Sequence, residues 1–355
     1  MKIIFDVLHL YYLPQYLPVY QQLLNEQEDD SVFVFYRGAH EEIIKSIVSK
    51  EKLNHIWVNN STEARDFYFQ EQADWVFFAN AFAYLDKVHQ VSKSAQLGHG
   101  IGPKASYYAK SDTPTTVRFV EGSYRTQRFN DMYPDDCFVD VGFCKLDPII
   151  NNELQDVSLE NMGLDPLKKT LLYAPTFYPS SIECFPENWP ELYQQYNIII
   201  KPHYFSLSKE TYKAQRKLLE HWAQFNNVYF ATVEDYSLVP FMALADVLIS
   251  DASSALFEFA ALNKPVIWCD FLKLRWSYRG IFSYRFKKRM DQDYGEYADV
   301  AVHASSFKNL KSLVDQQIAN PTELATIRLA MTEKLCGITD GKASSRIINY
   351  LRENR

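Results

Sequence analysis

A strand, a polar turn, a helix and a second strand follow one another between residues 247 and 268. The largely apolar run Val247–Ser250 predicts a buried strand, the next four residues a turn, 255–262 a helix and 265–268 the second strand. Strands joined by such a crossover helix run parallel in one sheet. The stretch therefore predicts a parallel sheet, and it places the turn at the carboxyl end of a strand, where open α/β sheets bind ligands.

This turn carries hydrogen-bond donors that suit an anion. Ser253 and Ser254 offer hydroxyl groups, and the helix that follows begins with N–H groups that have no partner within the helix. Asp251 belongs to the same turn. The alternative is that Asp251, Ser253 and Ser254 only cap the helix, because Ser and Asp are preferred at that position.

The same alternation extends through both halves of the chain. Strand patterns with helical patterns between them occur at 2–8, 31–36, 55–58 and 75–79, and again at 170–174, 197–201, 228–230, 247–250 and 265–268. A polar stretch at 151–169 separates the two sets, and 355 residues are many for one core. We therefore predict an α/β protein with two parallel-sheet domains in tandem, 1–160 and 161–330, and a segment 331–355 whose helix crosses back to the first domain.

Composition and charge exclude several classes of protein. The net charge of −7 argues against a general nucleic-acid binder, and the five cysteines include no C-x-x-C pair that would indicate a zinc site. The first residues resemble a core strand rather than a signal peptide, and no apolar run is long enough to cross a membrane. The sequence thus predicts a cytoplasmic protein whose membrane association, if any, is peripheral.

Polar residues follow the predicted strands of the second half. Thr176, His203, Glu234–Asp235 and the Asp251–Ser254 turn come after successive strands, whose carboxyl ends line one crevice in a parallel sheet. Hydroxyls and an imidazole there suit a phosphate-bearing ligand. Glu258 lies one helical turn beyond the serines, where it would suit a ribose hydroxyl; the alternative is a carboxylate that faces solvent.

His99 lies between two glycines at the equivalent place in the first half. Gly98, Gly100 and Gly102 allow a ligand to approach the main chain closely. If the two domains face each other across a cleft, His99 and His203 approach the ligand from opposite walls, as proton transfer beside a displaced phosphate would need. The alternative is a turn histidine with no chemical task.

Residues 273–289 depart from the acidic balance of the chain. They include seven Lys or Arg, no acidic residue and several aromatic rings. Cations interleaved with amphipathic rings favour anionic lipid headgroups or a polyanionic polymer. The alternative is a solvated basic loop.

Taken together, these motifs resemble the CDP-glycerol glycerophosphotransferases of teichoic-acid and capsule synthesis. The matching pieces lie in the family's order and span roughly 250 residues: 96–104 around His99, 142–147, 172–176, 201–203, 245–254 with 257–258, and 341–346. The resemblance implies a GT-B fold, in which two Rossmann-like domains enclose a cleft and the second binds the nucleotide. It also implies attack of an acceptor hydroxyl on the glycerol-bearing phosphorus, with loss of CMP.

The resemblance also assigns roles to single residues. His99 becomes the general base towards the acceptor hydroxyl, and His203 acts at the diphosphate. Donor-binding residues are Thr176, Asp251, Ser253, Ser254 and Glu258, and residues on the acceptor or membrane side are Lys104, Arg275 and Arg279. The expected partners are CDP-glycerol or a related nucleotide donor, a glycan or lipid-linked acceptor and the anionic inner face of the cell membrane.

Two departures from the family pattern concern the acceptor. Gly98 and Ile101 replace the Trp and Thr that typically flank the His-Gly pair in teichoic-acid enzymes. No cofactor is expected to be required; Mg²⁺ is compatible with the chemistry, but no ligand cluster signals it. Two other functions stay open: a GT-B glycosyltransferase or epimerase that uses a UDP- or CMP-sugar, and a catalytically idle scaffold that binds a polyanionic glycan.

Overall fold

The computed structural model describes residues 1–27, 30–38, 40–102, 105–108, 112–154, 157–274, 278, 280, 284 and 294–355. These residues form two compact units. Unit 1 comprises Met1–Gly100, Tyr107–Glu153 and Glu333–Arg355, and unit 2 comprises Ile101–Ser106 and Leu154–Thr332. The predicted boundaries at 160 and 330, with an acceptor role for the first domain and a donor role for the second, stay predictions.

Unit 1 is built on a parallel sheet that has seven strands in the described part of the chain. The strands lie in the order β3-β2-β1-β4-β5-β6-β7. The order reverses between β1 and β4, which makes their carboxyl ends a topological switch point. The strands are β1 Lys2–Val7, β2 Asp30–Tyr36, β3 His55–Val58, β4 Trp75–Phe78, β5 Lys93–Leu97, β6 Val117–Val120 and β7 Phe138–Asp140.

Unit 2 repeats this architecture with six strands among its described residues. Their order is β10-β9-β8-β11-β12-β13, every pairing is parallel, and the switch point lies between β8 and β11. The strands are β8 Thr170–Ala174, β9 Asn197–Ile200, β10 Val228–Phe230, β11 Val247–Ser250, β12 Val266–Cys269 and β13 Val302–Ala304. The prediction of an α/β fold with two parallel sheets is confirmed.

Continuous apolar runs explain why these strands occupy the cores. The strands β4, β9 and β11 are buried at every residue, as expected for parallel strands covered by helices on both faces. Large aromatic residues fill the space above the sheets. In unit 2, the Tyr173 ring stacks on Phe185 at 4.6 Å and meets the edge of Trp189 at 5.9 Å.

Helices connect the strands and cover the sheets. The ten that precede residue 270 are α1 Leu13–Asn25, α2 Glu41–Lys50, α3 Ser61–Glu71, α4 Leu85–Val88, α5 Ser123–Met132, α6 Asp147–Ile150, α7 Tyr204–Ser208, α8 Lys213–Trp222, α9 Val239–Leu244 and α10 Ser254–Ala260 among the described residues. After residue 300 come α11 Phe307–Ala319, α12 Ala325–Cys336 and α13 Ala343–Glu353. No helix in the described ranges is long and apolar enough to cross a membrane.

The last helix, α13, belongs to unit 1, where a buried carboxylate holds its start. Asp147 accepts hydrogen bonds from the N–H groups of Ala343 at 3.3 Å and Ser344 at 2.8 Å. These N–H groups lie in the first turn, where a helix has no internal acceptors for them. The motifs at 142–147 and 341–346, which are far apart in sequence, thus meet in one helix-capping contact.

We expect Asp147→Ala to lower the free energy of unfolding by roughly 1–3 kcal/mol, because two buried N–H groups lose their acceptor. Urea denaturation followed by tryptophan fluorescence measures the change. Asp66→Ala is the control: it removes an ion pair whose carboxylate is 64% exposed, and we expect a change within about 0.5 kcal/mol. Equal urea midpoints for the two variants would contradict a capping role for Asp147.

Candidate active site

Three loops meet at the switch point of unit 2. They follow β8, β9 and β11, which are neighbours in the sheet, and they carry Thr176, His203 and the Asp251–Ser254 turn. The His203 N–H donates to the carbonyl of Pro175 at 3.3 Å, which joins the first two loops directly. The structure therefore brings Thr176, His203 and the Asp251–Ser254 turn together at one edge of one sheet. Glu258, which the sequence also predicts for donor binding, lies in the helix that follows the turn.

Asp251 holds the loop that follows β8. Its Oδ2 atom accepts from the N–H of Thr176 at 3.0 Å and from the hydroxyl of Ser180 at 3.2 Å, and the N–H of Ser181 lies 3.3 Å from both carboxylate oxygens. The side chain is completely buried. Its oxygens are thus used to order the loop. A direct contact of Asp251 with a donor stays a prediction.

Burial raises the pKa of Asp251 to about 7, although the hydrogen bonds from Ser181, Thr176 and Ser180 oppose the shift. Four donor contacts therefore do not fully replace the water that the carboxylate loses.

The serines of the turn differ from simple helix caps. Ser253 occupies the N-cap position of α10, but its side chain makes no capping hydrogen bond. Its Oγ atom pairs instead with Oγ of Ser250 at 3.0 Å, and Ser250 donates to the carbonyl of Ala174. Ser253 and Ser254 are both partly exposed. The interpretation of these residues as helix caps alone does not fit this arrangement.

His203 begins the short helix α7 and has a defined tautomer. Its Nδ1 atom accepts from the N–H of Phe205 at 3.1 Å. Since Nδ1 is an acceptor, the proton of the neutral ring lies on Nε2. The rings of Phe177 and Phe205 pack on the imidazole at 4.7 and 5.1 Å. His203 can therefore present a fixed N–H donor at Nε2.

The other predicted residues of unit 2 lie deeper or order loops. Glu258 is completely buried in α10, so the alternative of a solvent-facing carboxylate is wrong. Asp235 accepts from the N–H of Thr232 at 2.9 Å and from the hydroxyl of Tyr229 at 3.2 Å. It thus fixes the loop that follows β10.

In unit 1, His99 follows β5 and lies among aromatic rings. The centroids of Tyr11 and Tyr12, which follow β1, are each 5.4 Å from the His99 ring, and Tyr107 is 5.5 Å away. The hydroxyl of Tyr12 accepts from Asn80, which follows β4. Residues from three strand ends thus surround or support this histidine.

Of the three glycines near His99, Gly102 shows most directly why glycine is needed. Its φ is +101°, which disfavours any side chain, and a Cβ atom there would collide with the ring of Phe257. Both residues belong to unit 2. The glycine therefore allows the main chain to pass closely over an aromatic ring of α10.

Sequence reasoning missed Ser180 and Ser181, which bind Asp251. They lie five and six residues beyond Pro175, so only the strand-loop context could have suggested them. The predicted residues Lys104, Arg275 and Arg279 lie outside the described residues. In the described part of the chain, no group of three His, Cys, Asp or Glu is arranged to hold a metal ion. The expectation that no cofactor is required stays a prediction.

A comparison with protein families matches residues 19–353 to a model described as CDP-Glycerol:Poly(glycerophosphate) glycerophosphotransferase. The chain belongs to this family. The predicted resemblance is thus confirmed, and the family is one of glycerophosphotransferases.

Curated relatives share part of their length with this chain. A teichoic acid glycerol-phosphate primase of Bacillus subtilis is 23% identical over 224 residues, which cover 61% of this chain and 51% of the relative. A teichoic acid glycerol-phosphate transferase of Staphylococcus aureus is 26% identical over 198 residues, which cover 53% of this chain and 45% of the relative. The chain therefore spans about half the length of the curated relatives it matches.

Solved structures confirm the GT-B-like fold. The wall teichoic acid polymerase TagF superimposes with a TM-score of 0.67 at 18% sequence identity, and the match covers 99% of this chain and 88% of that one. A CDPG-soaked form of TagF superimposes with a TM-score of 0.67 at 15% sequence identity and the same coverage. A UDP-N-acetylglucosamine 2-epimerase from Listeria monocytogenes, described as putative, gives 0.66 at 12% identity, covering 99% and 96%. At these identities the similarity concerns the fold.

We expect the buried Asp251 carboxylate to make stability depend on pH. Its folded-state pKa of about 7 lies above its ordinary value of 3.8, so between these pH values the folded chain binds a proton that the unfolded chain lacks. The contribution of this group to the free energy of unfolding therefore falls as pH rises from 4 to 7. Over this range we expect the free energy of unfolding of the native protein to fall by roughly 1–4 kcal/mol more than that of Asp251→Asn. Urea denaturation at several pH values measures both. A constant difference between the two proteins would rule this out.

Proposed function

We propose that this protein transfers glycerol phosphate, or a similar polyol phosphate, from a CDP-activated donor to a hydroxyl group of a glycan or lipid-linked acceptor in the synthesis of a teichoic-acid-like or capsule polymer. Membership of the glycerophosphotransferase family supports the reaction class. The observation that carries the proposal is the convergence of Thr176, His203 and the Asp251–Ser254 turn at the switch point of unit 2.

The proposed reaction is a single displacement at phosphorus. The acceptor oxygen attacks the glycerol-bearing phosphorus, its bond to that phosphorus forms, the bond to the CMP oxygen breaks, and CMP leaves. His99 takes the proton of the acceptor hydroxyl as general base. This displacement requires no covalent enzyme intermediate.

The hydrogen bond at Nδ1 of His203 supports its proposed role in the donor site. A neutral imidazole that donates from Nε2 can bind a phosphate oxygen without the cost of burying a full charge, and the Ser253 and Ser254 hydroxyls add donors beside it. Thr176 and Glu258 complete the nucleotide site in this proposal. CDP-glycerol is the favoured donor because the family is named for it and a TagF structure was soaked with CDPG.

The acceptor and the cellular location belong to the same proposal. Lys104, Arg275 and Arg279 would contact the acceptor or an anionic membrane surface from the cytoplasmic side. Sedimentation with vesicles that contain anionic lipid, compared with neutral vesicles, tests the membrane contact. Assays with and without EDTA test the metal requirement.

We expect the purified protein to release CMP from CDP-glycerol in the presence of a glycan or lipid-linked acceptor, and His99→Ala to reduce the rate by at least about 100-fold, because general-base catalysis contributes that much. Chromatographic detection of CMP measures both rates. The control is His221→Ala, which removes an exposed histidine of α8 and should leave the rate unchanged.

Other outcomes would favour the competing functions. Turnover of UDP- or CMP-sugars, with none of CDP-glycerol or CDP-ribitol, would replace the proposal by a glycosyltransferase or epimerase. A thermal-shift panel of CMP, CDP, UMP and UDP detects nucleotide binding to the native state. No response at millimolar concentration would favour a glycan-binding scaffold.

Two substitutions separate the roles of His203. His203→Asn can still accept the Phe205 N–H, since Asn is a preferred N-cap residue, but it lacks the Nε2 donor. We expect it to fold normally and to lose about 10- to 100-fold in kcat/KM for the donor, as for a hydrogen bond to a charged group. His203→Gln has the donor without the cap and should retain more donor affinity. Unchanged kcat/KM in the Asn variant would reduce His203 to a structural cap.

A further inference from the structure

A buried ion pair lies behind the turn that carries His99. Glu121 follows β6, and Arg125 lies four residues later in α5; each side chain is only 7% exposed, and the two form an ion pair. Taking two charges out of water costs several kcal/mol per ion before their attraction compensates. A buried ion pair therefore adds little net stability, and its contacts are the better indication of its role.

The Arg125 guanidinium reaches two groups that adjoin His99. Its Nη1 atom donates to the carbonyl of Gly100, the next residue after His99, at 3.3 Å. Its central carbon lies 5.4 Å from the centroid of the Tyr107 ring, and that ring packs edge-on against the His99 imidazole at 5.5 Å. The Arg125 guanidinium thus contacts both the backbone next to His99 and the Tyr107 ring that packs on the imidazole.

A second buried arginine fixes the main chain of Tyr107. Arg118 donates from Nη2 to the carbonyl of Tyr107 at 2.5 Å, and its guanidinium lies over the Phe129 ring at 4.2 Å. Tyr107 is therefore held at its carbonyl by Arg118 and at its ring by Arg125. The contacts form a continuous path from β6 and α5 to the His99 ring, entirely within unit 1.

We propose that Glu121 and Arg125 are positioning residues for His99: Glu121 orients Arg125, and Arg125 holds the Gly100 backbone and the Tyr107 ring so that the imidazole points in one direction. The proposal rests on the base role of His99 in the proposed function. Neither residue touches the reacting atoms. Small displacements of a catalytic group lower the rate strongly, whereas binding of a donor in unit 2 does not depend on them.

Arg125→Lys tests this role. Lysine retains the charge but cannot reach the Gly100 carbonyl and the Tyr107 ring together. We expect kcat for CMP release to fall at least about tenfold, with KM for CDP-glycerol changed less than about twofold, since only the transition state is affected. Glu121→Gln and Tyr107→Leu, which interrupt the same path elsewhere, should change kcat in the same direction and decide the question if Arg125→Lys does not fold.

Nuclear magnetic resonance of the histidine rings gives a readout that does not require activity. In ¹⁵N-labelled protein, the His99 ring signal is assigned by its absence in His99→Gln. We expect Arg125→Lys to shift or broaden this signal. The signals of His203, His221 and His303, which lie in unit 2, should stay in place. His9 is not a reference, because it packs on Tyr11 and Tyr12, which also contact His99. If the native protein has no transferase activity, the proposed function fails, and the spectra still decide whether Arg125 positions His99.

Arg328→Lys is the matched control. Arg328 is equally buried, but it binds Asn263 and the Pro321 carbonyl in unit 2. We expect a similar loss of thermal stability with no change in kcat or in the His99 signal. The proposal is overturned if Arg125→Lys lowers kcat no more than Arg328→Lys does, or if the His99 signal is the same in Arg125→Lys as in the native protein.

Discussion

The ligand-side edge of unit 2 depends on the Asp251 carboxylate. This group lies at the end of β11 and binds the N–H groups of Thr176 and Ser181 and the hydroxyl of Ser180 across the switch point from β11 to β8. Buried N–H groups without an acceptor cost about 1–3 kcal/mol each. A loop that leaves a sheet has no strand ladder to satisfy them, so the carboxylate supplies the acceptor and fixes Thr176 beside the His203 loop.

Unit 1 uses buried charge in a related way. The Glu121–Arg125 pair supports the turn that carries His99, and Asp147 supplies the acceptor for the first turn of α13. Each of these groups is costly to bury, and burial raises the pKa of Glu121 to about 7. An apolar residue would fill the same volume, but it could not orient a backbone amide or carbonyl. These buried charged groups thus lower the stability of the fold and in return fix the geometry of the loops they contact.

The fold does not select the chemistry. TagF and a UDP-N-acetylglucosamine 2-epimerase resemble this chain almost equally well in overall structure. Two Rossmann-like units supply a sheet edge at which a nucleotide ligand can bind, and the reaction depends on the side chains placed there. For this reason, the proposed reaction rests on His99, His203 and the serine turn together with the family relationship.

The sequence determined the sheets and most of the candidate site, because buried parallel strands have continuous apolar runs and polar residues stand directly after them. It did not predict β6, β7, β13 or α11. The edge strands β7 and β13 have three residues each and are partly exposed, so they carry too little pattern. Nor could it distinguish Glu121 and Arg125, spaced as an ordinary exposed helical ion pair, from a buried one. Only the tertiary structure placed that pair beneath His99 and brought Asp147 to Ala343, because burial depends on which distant segments pack over a residue.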